Sequence, residues 1–413
     1  MEPEVPPRSA VLVLCTRDGE VLGRLPTVAV RSPWWPDVEP IIDAARDAFV
    51  IEIVVLRMLD SELPRPHGGV VTYLAELRDG AASAVDGLLE PWTGVLDEQP
   101  LRLPYARPGG PAADVEWAER VLRERRLERA GPAVQVRSWN LSSIWRLPLV
   151  DAGPAWLKVV PPFFGHEGDI LRRLQSGPVP RLLGHDGRRI LLADIEGEDQ
   201  YEAPLPVLLR MVTILVELQA EWLGRARELL AIRLPDWRGR ALSTSMGRLV
   251  ARRRADLADD DARSLDALVD GLPARWEAVA AAGVPDTLVH GDFHPGNVRG
   301  SAARLTLLDW GDTGVGHPLL DLPAFLSAIP ADAVSPVREH WLRLWKDAVP
   351  GSNPDIAARL LEPVAAARQA LIFQGFVDNI EPVERRHHEA DVTDWLARAA
   401  ALARDESRVS GGC

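Results

Sequence analysis

The sequence predicts an α+β protein in which sheet-rich segments come first and a larger helical body follows. Short apolar runs of strand length, separated by turn residues, recur as far as residue 194, and from 204 to 287 the pattern is mostly helical. The one later interruption is a pair of short apolar runs over 288–309 whose connection is rich in polar residues. The chain has 413 residues, 46% apolar and 26% charged, which suits two or three globular domains and excludes a disordered or low-complexity protein. No apolar stretch approaches the roughly 20 residues of a membrane-spanning helix. The acidic start Met1-Glu2-Pro3-Glu4 has no basic segment ahead of an apolar core, so neither a signal peptide nor a membrane partner is expected. Two cysteines, Cys15 and Cys413, exclude a disulfide framework and favour a reducing, cytoplasmic setting. The net charge of −13 argues against nucleic acid as a partner, because neutralising phosphates takes clustered positive charge.

The elements follow in order. An apolar run at 10–15 ends at the turn Thr16-Arg17-Asp18-Gly19 and reads as a strand; 38–50 reads as a helix, and 51–59 and 70–77 as strands. A Pro/Gly cluster at 104–112 marks a linker, and a charged helix is expected over 114–129, ended by Gly131-Pro132. Strands are expected at 134–138, 144–149 and 155–160, a helix at 166–174, and strands near 181–183 and 188–194. These boundaries give an N-terminal domain over 1–104, a linker and charged helix over 105–132, a sheet-rich lobe over 133–197 and a helical lobe over 198–413.

The chemistry is concentrated in Leu288-Val-His-Gly-Asp-Phe-His-Pro-Gly-Asn-Val298 and Leu305-Thr-Leu-Leu-Asp-Trp-Gly-Asp312. A hairpin over 288–309 would bring Asp292, Asn297 and Asp309 into one small volume. Two carboxylates and an amide are hard oxygen donors suited to Mg²⁺ completed by water and phosphate. The five-residue step from Asp292 to Asn297 also fits phosphoryl transfer, in which an Asp orients the attacking hydroxyl and an Asn five residues on holds metal.

These segments resemble the aminoglycoside phosphotransferase and choline kinase-like family of small-molecule kinases. The pattern stands here as His290-Gly291-Asp292…Asn297 and Asp309-Trp310-Gly311-Asp312-Thr313-Gly314-Val315-Gly316, with Asp321-Leu322 downstream. The resemblance implies a protein-kinase-like two-lobed fold with ATP and Mg²⁺ as cofactors and a small hydroxylated molecule as acceptor. It makes Asp292 the catalytic base, Asn297 and Asp309 the metal ligands, and His290 and Asp321 structural supports of the loop. His317 and Pro323 depart from the family, which often has Asp and Ala there; neither is a chemical position.

The sheet-rich lobe is expected to supply a Lys for the nucleotide phosphates and a Glu to hold it. Of the 47 basic residues only Lys158 and Lys346 are lysine, and Lys158 lies inside the apolar strand Ala155-Trp-Leu-Lys-Val-Val160. A buried Lys needs a partner, and Glu167 stands nine residues on. The turn Trp139-Asn140-Leu141-Ser142-Ser143 joins two strands without the glycines of a protein-kinase loop. Its backbone N–H groups and the Ser142 or Ser143 hydroxyl could meet phosphate, although an ordinary Asx or Ser turn accounts for the same residues. By resemblance, adenine would contact backbone groups around Asp194 and Ile195.

The first hundred residues, with 17 Asp and Glu against 8 Lys and Arg, resemble a Nudix-type α/β module in the run 11–22 and in Asp43-Ala-Ala-Arg-Asp47. The adjacent metal-binding glutamates of that family are replaced by Ala48-Phe49-Val50, so a non-catalytic accessory domain is expected. For the acceptor, candidates are Trp222, Trp237, Trp276, Trp341, Trp345 and Trp395, which suit sugar rings, and the acidic stretch 378–384 with Glu389 and Asp391, which suits a cationic amino sugar. The resulting expectation is an ATP- and Mg²⁺-dependent O-phosphotransferase acting on a sugar, amino sugar or aminoglycoside-like compound. The alternative is a nucleotide-binding pseudokinase or regulatory protein without phosphotransfer. The joint presence of Lys158, Asp292, Asn297 and Asp309 speaks against it.

Overall fold

The structure, a computed structural model, describes residues 5–78, 85 and 87–410; Cys413 lies outside them. The chain forms two compact units. The first comprises Met1–Gly168, Arg181–Asp194 and Phe376–His388, and the second Asp169–Pro180, Ile195–Gly375 and Glu389–Cys413.

In the first unit, β1 (Arg8–Cys15), β2 (Val21–Arg24), β3 (Val28–Val30), β4 (Ile53–Ser61) and β5 (Gly69–Leu77) form a mixed sheet in the order β2-β1-β5-β4, with β3 also paired to β1. The β1–β5 pair is parallel, from Arg8↔Gly69 to Cys15↔Glu76. Helix α1 (Glu39–Phe49) starts with Pro40 in its first turn and lays Ile41, Ile42 and Ala45 on the sheet core. Arg8, 1% exposed, donates to the carbonyls of Trp34, Trp35 and Asp37 and so fixes the irregular segment ahead of α1.

Helix α2 (Gly110–Glu124) begins four residues before the expected helix and ends five residues short of it. Gly109 at φ +74° and Pro111 in the first turn set its start, and Arg126 at φ +58° turns the chain after its end. A second, antiparallel sheet follows: β6 (Val134–Ser138), β7 (Ser143–Leu149), β8 (Ala152–Val159), β9 (Leu182–His185) and β10 (Arg189–Ala193), in the order β6-β7-β8-β10-β9. Helix α3 (Glu167–Arg173) lies between β8 and β9 in sequence.

The two sheets share one core. Val13, Cys15, Val54, Leu56 and Leu74 of the first pack in the same cluster as Trp145, Leu147, Leu157, Val159 and Leu191 of the second. Tyr105, Trp117, Ala118 and Leu122 belong to that cluster too, so the stretch expected as a linker is a packed part of the unit. The edges of β4 and β6 are joined by Gln135, 1% exposed, which accepts from Val55 N (2.9 Å) and donates to Val55 O (2.7 Å). A side-chain amide thereby replaces a ladder rung on an edge strand.

The second unit is mostly helical: α4 (Leu205–Glu221), α5 (Ala226–Ala231), α6 (Gly239–Arg253), α7 (Asp259–Ala281), α8 (Leu322–Ser327), α9 (Ala331–Ala348), α10 (Pro354–Asn379) and α11 (Glu389–Ser410). The last residues of α10 belong to the first unit. Two small sheets interrupt the helices. In one, β11 (Glu198–Asp199), β13 (Val298–Ser301) and β14 (Arg304–Leu307) are neighbours; in the other, β12 (Thr287–Val289) pairs with β15 (Gly314–Gly316). The single hairpin expected over 288–309 is therefore two pairings. β13 and β14 form the hairpin, and β12 takes a partner beyond Asp309, because polar residues 290–297 carry the chain away from β12 before β13 begins. Among the described residues, no helix is long and apolar enough to cross a membrane.

Candidate active site

The loop after β12 is held from three sides within the second unit. Asp321, fully buried, accepts from His290 N (2.9 Å), Gly291 N (2.8 Å) and Gln219 Nε2 (2.9 Å). Burial pushes its carboxyl up, and the Arg368 charge and the loop N–H groups oppose this. From α10, Arg368 Nη2 (2.9 Å) and Gln369 Nε2 (3.2 Å) both donate to Gly291 O. Beneath the loop, Phe293 stacks on Phe325 at 4.8 Å and meets Trp341 edge-on at 5.7 Å. Gly291 has φ +94°, and a Cβ there would lie 1.9 Å from Asp312 O, so only glycine fits.

Asp292 projects from this fixed loop with 43% of its side chain exposed. Asn297 Nδ2 donates to both Asp292 O (2.8 Å) and Asp292 Oδ2 (2.9 Å). Asn297 therefore presents its amide oxygen as the remaining donor for a cation. His294 Nε2 lies 3.6 Å from Asp292 Oδ2, while its Nδ1 accepts from Gly296 N. Burial alone would raise the Asp292 carboxyl; the neighbouring His294 imidazole outweighs it and holds the pKa below the ordinary value. For His294 the burial penalty is outweighed by Asp292, and its pKa is raised. Asp309 follows β14 at φ +56°, a left-handed conformation uncommon outside glycine, at the bend before Trp310. Asp309 and Asn297 offer carboxylate and amide oxygen, a donor set that suits Mg²⁺.

In the first unit, Lys158 lies on β8 between Ile144 of β7 and Ile190 of β10. Its Nζ is 2.8 Å from Glu167 Oε1, with side chains 13% and 3% exposed. The Ser142 and Ser143 hydroxyls are both buried and accept from the indoles of Trp139 (3.2 Å) and Trp145 (3.0 Å). Asp194 Oδ1 accepts from Trp156 Nε1 (2.8 Å). In the second unit, Ile195 O accepts from Arg299 Nε (3.0 Å).

A family model described as phosphotransferase enzyme family matches residues 107–359, more than half of the chain. The chain belongs to this phosphotransferase family. It is accordingly a small-molecule kinase in class, and its family works with nucleoside triphosphates. No curated protein matches it in sequence. Among solved structures it is similar to choline kinase LicA from Streptococcus pneumoniae (14% identity, 71% of this chain and 99% of that one, TM-score 0.51). It is also similar to a choline/ethanolamine kinase family protein from Mesorhizobium loti (16%, 70% and 94%, TM-score 0.50). A macrolide 2'-phosphotransferase, MphH from Brachybacterium faecium, aligns over 67% of this chain and 97% of that one at 18% identity and a TM-score of 0.45. The first two likenesses establish the protein-kinase-like fold of the phosphotransferase, to which this chain adds its N-terminal sheet.

Of the six tryptophans named for the acceptor, three are taken up by the core and three are half-buried with partners of their own. Trp222, Trp341 and Trp345 are buried in the helical core, Trp237 is covered by the Arg368 guanidinium at 4.4 Å and Trp395 by Arg398 at 4.9 Å. The Trp276 indole donates to Ser243. In the acidic stretch 378–384, Glu381 is paired with Arg102 at 2.8 Å and Glu384 accepts from Asn140 at 3.0 Å, while Asp378 and, beyond the stretch, Glu389 are exposed and Asp391 is half-buried. The Glu381 and Glu384 carboxylates are buried, and a buried carboxylate needs such partners. Conversely, the sequence reading assigned nothing to His294, Arg368 and Gln369. His294, two residues from Asp292, carried a usable signal; Arg368 and Gln369 lie in a long helix with none.

Proposed function

We propose that this phosphotransferase moves the γ-phosphoryl group of ATP, with Mg²⁺, to a hydroxyl of a sugar, amino sugar or aminoglycoside-like compound. The observation that carries the reading is the fixed loop that presents Asp292 beside Asn297 and His294. Asp292 stays ionised, held so by its neighbours, and so can accept a hydrogen bond from the acceptor hydroxyl, orient it and take its proton as the O–P bond forms. Asn297 and Asp309 would hold Mg²⁺, which neutralises phosphate charge when bound. Lys158, aligned by Glu167, serves the nucleotide phosphates. Ser142 and Ser143 lie at the turn assigned to those phosphates, and Asp194 and Ile195 at the adenine contact. His290 and Asp321 keep the loop in place, so most of the catalysis is positioning and electrostatics.

The N-terminal sheet is read as a Nudix-like accessory domain over 1–104 without chemistry of its own. Residues 133–197 and 198–413 are read as the two kinase lobes, and the setting as cytoplasmic. Glu39 and Asp43, two of the three acidic residues of its helix, are paired with Arg146 and Arg31, which supports a structural role for these two.

The test is ADP release from Mg²⁺-ATP across monosaccharides, amino sugars, aminoglycosides and choline-like alcohols. Turnover with one class is expected, and Asp292→Ala should lower kcat by about 10²–10⁴-fold with the melting temperature retained. ATP binding without turnover on any acceptor would favour the pseudokinase.

A further inference from the structure

The turn between β6 and β7 has no glycine, yet it is held by side chains from distant segments of the first unit. Trp139 N donates to Ser142 O (3.0 Å) and closes it. Trp139 O accepts from Tyr105 Oη (2.7 Å), and the Trp139 ring meets Trp34 edge-on at 6.0 Å. At the tip, Asn140 is 5% exposed and both ends of its amide are engaged. Nδ2 donates to Glu384 Oε2 (3.0 Å), and Oδ1 is 2.9 Å from His388 Nε2. Glu384 and His388 come from 376–388, a strap of distant sequence that belongs to the same unit.

The strap is itself anchored. Glu381 takes Arg102 through contacts of 2.8 and 3.1 Å with both partners nearly buried, Arg386 Nη1 donates to Ser61 O and Oγ (2.7 Å each), and His387 stacks edge-on against Trp35 (5.4 Å) and Trp139 (5.6 Å). Among the described residues, no protein acceptor takes the backbone N–H groups of Asn140, Leu141 or Ser142. Three successive donors on a braced turn suit phosphate oxygens.

We infer that the strap sets the backbone of the 139–142 turn for the nucleotide phosphates, with Asn140, Glu384 and His388 as positioning residues. The inference rests on the nucleotide-dependent kinase reading. Protein kinases order a glycine-rich loop over the phosphates when nucleotide binds; here the ordering is done at folding, so less of the binding free energy is lost to it.

The experiment measures the nucleotide Kd and the separate KM values for nucleotide and acceptor on the full chain. N140A and E384A should each raise the nucleotide KM about tenfold, the loss of a buried hydrogen bond, and leave the acceptor KM unchanged. E384Q keeps a carbonyl acceptor for the Asn140 amide and should remain close to wild type. N140D is isosteric and serves if N140A does not fold; it sets two carboxylates against each other. The double variant N140D/E384Q exchanges donor and acceptor and should restore the nucleotide KM. Unchanged nucleotide KM in N140A and E384A, an equal rise in both KM values, or no recovery in the double variant would overturn the inference alone. A wild-type chain that binds no nucleotide would remove the kinase reading, and this inference with it.

Discussion

Gly291 carries a backbone constraint that no neighbour can relieve. Its φ of +94° already disfavours a side chain, and the Asp312 carbonyl occupies the place of a Cβ. Gly291→Ala should cost ~3 kcal/mol or more in chemical denaturation and displace Asp292 enough to abolish turnover. Asp114 gives a second test at this scale. It is 2% exposed, its Oδ2 has no hydrogen-bond partner among the described residues, and Arg188 and Arg189 stand 3.8 and 3.7 Å from its other oxygen. Burial raises its carboxyl to about 6, with the two arginines opposing. A pKa raised in the folded state favours the protonated form, so this contribution is full below about pH 4 and is lost as pH rises through 6. The loss amounts to ~2–3 kcal/mol. Asp114→Asn should flatten the pH dependence of stability between pH 4 and 8, read from denaturation midpoints; an unchanged slope would assign it to other groups.

Between neighbouring strands, the structure depends on a contact that no periodicity reveals. Gln135→Ala would leave Val55 N and O buried without a partner and should cost ~2–4 kcal/mol in chemical denaturation, while a cost below ~1 kcal/mol would mean that water replaces the amide. What was legible in the sequence follows from this distinction. Alternation and turn residues marked β1, β4, β5 and the strands of the second sheet, because each side-chain pattern is set locally by one buried face. The pairing of Asn297 with Asp292 was legible because both lie in one contiguous loop. The partner of β12 was not, since pairing with β15 is decided by where an irregular loop leaves the chain. Arg368, Gln369 and His388 were silent, and Glu384 was read only as part of an acidic stretch, because contacts between distant segments leave no period. The buried tryptophans misled for a related reason: a large amphipathic ring fits a core as well as a sugar.

At the scale of the whole chain, the family match begins at residue 107, but the core of the first unit begins far upstream. Cutting the chain near residue 104 would uncover Trp145, Leu147 and Leu157, whose packing partners include Val13, Val54, Leu56 and Leu74. A fragment starting at 105 should therefore aggregate or stay unfolded, as size-exclusion and circular dichroism would show. A monomeric, cooperatively melting fragment would mean that the second sheet can close without the first.

The shared core also contains its own chemical probe. Cys15 is fully buried there as a free thiol, with burial, seconded by Glu76, pushing it up to about 11. A protonated, enclosed sulfur is inert to alkylating reagents until the sheets part. In a chain with Cys413 replaced by serine, the labelling rate of Cys15 would count those openings one by one. The reagent would thus time the breathing of the interface without any added tag.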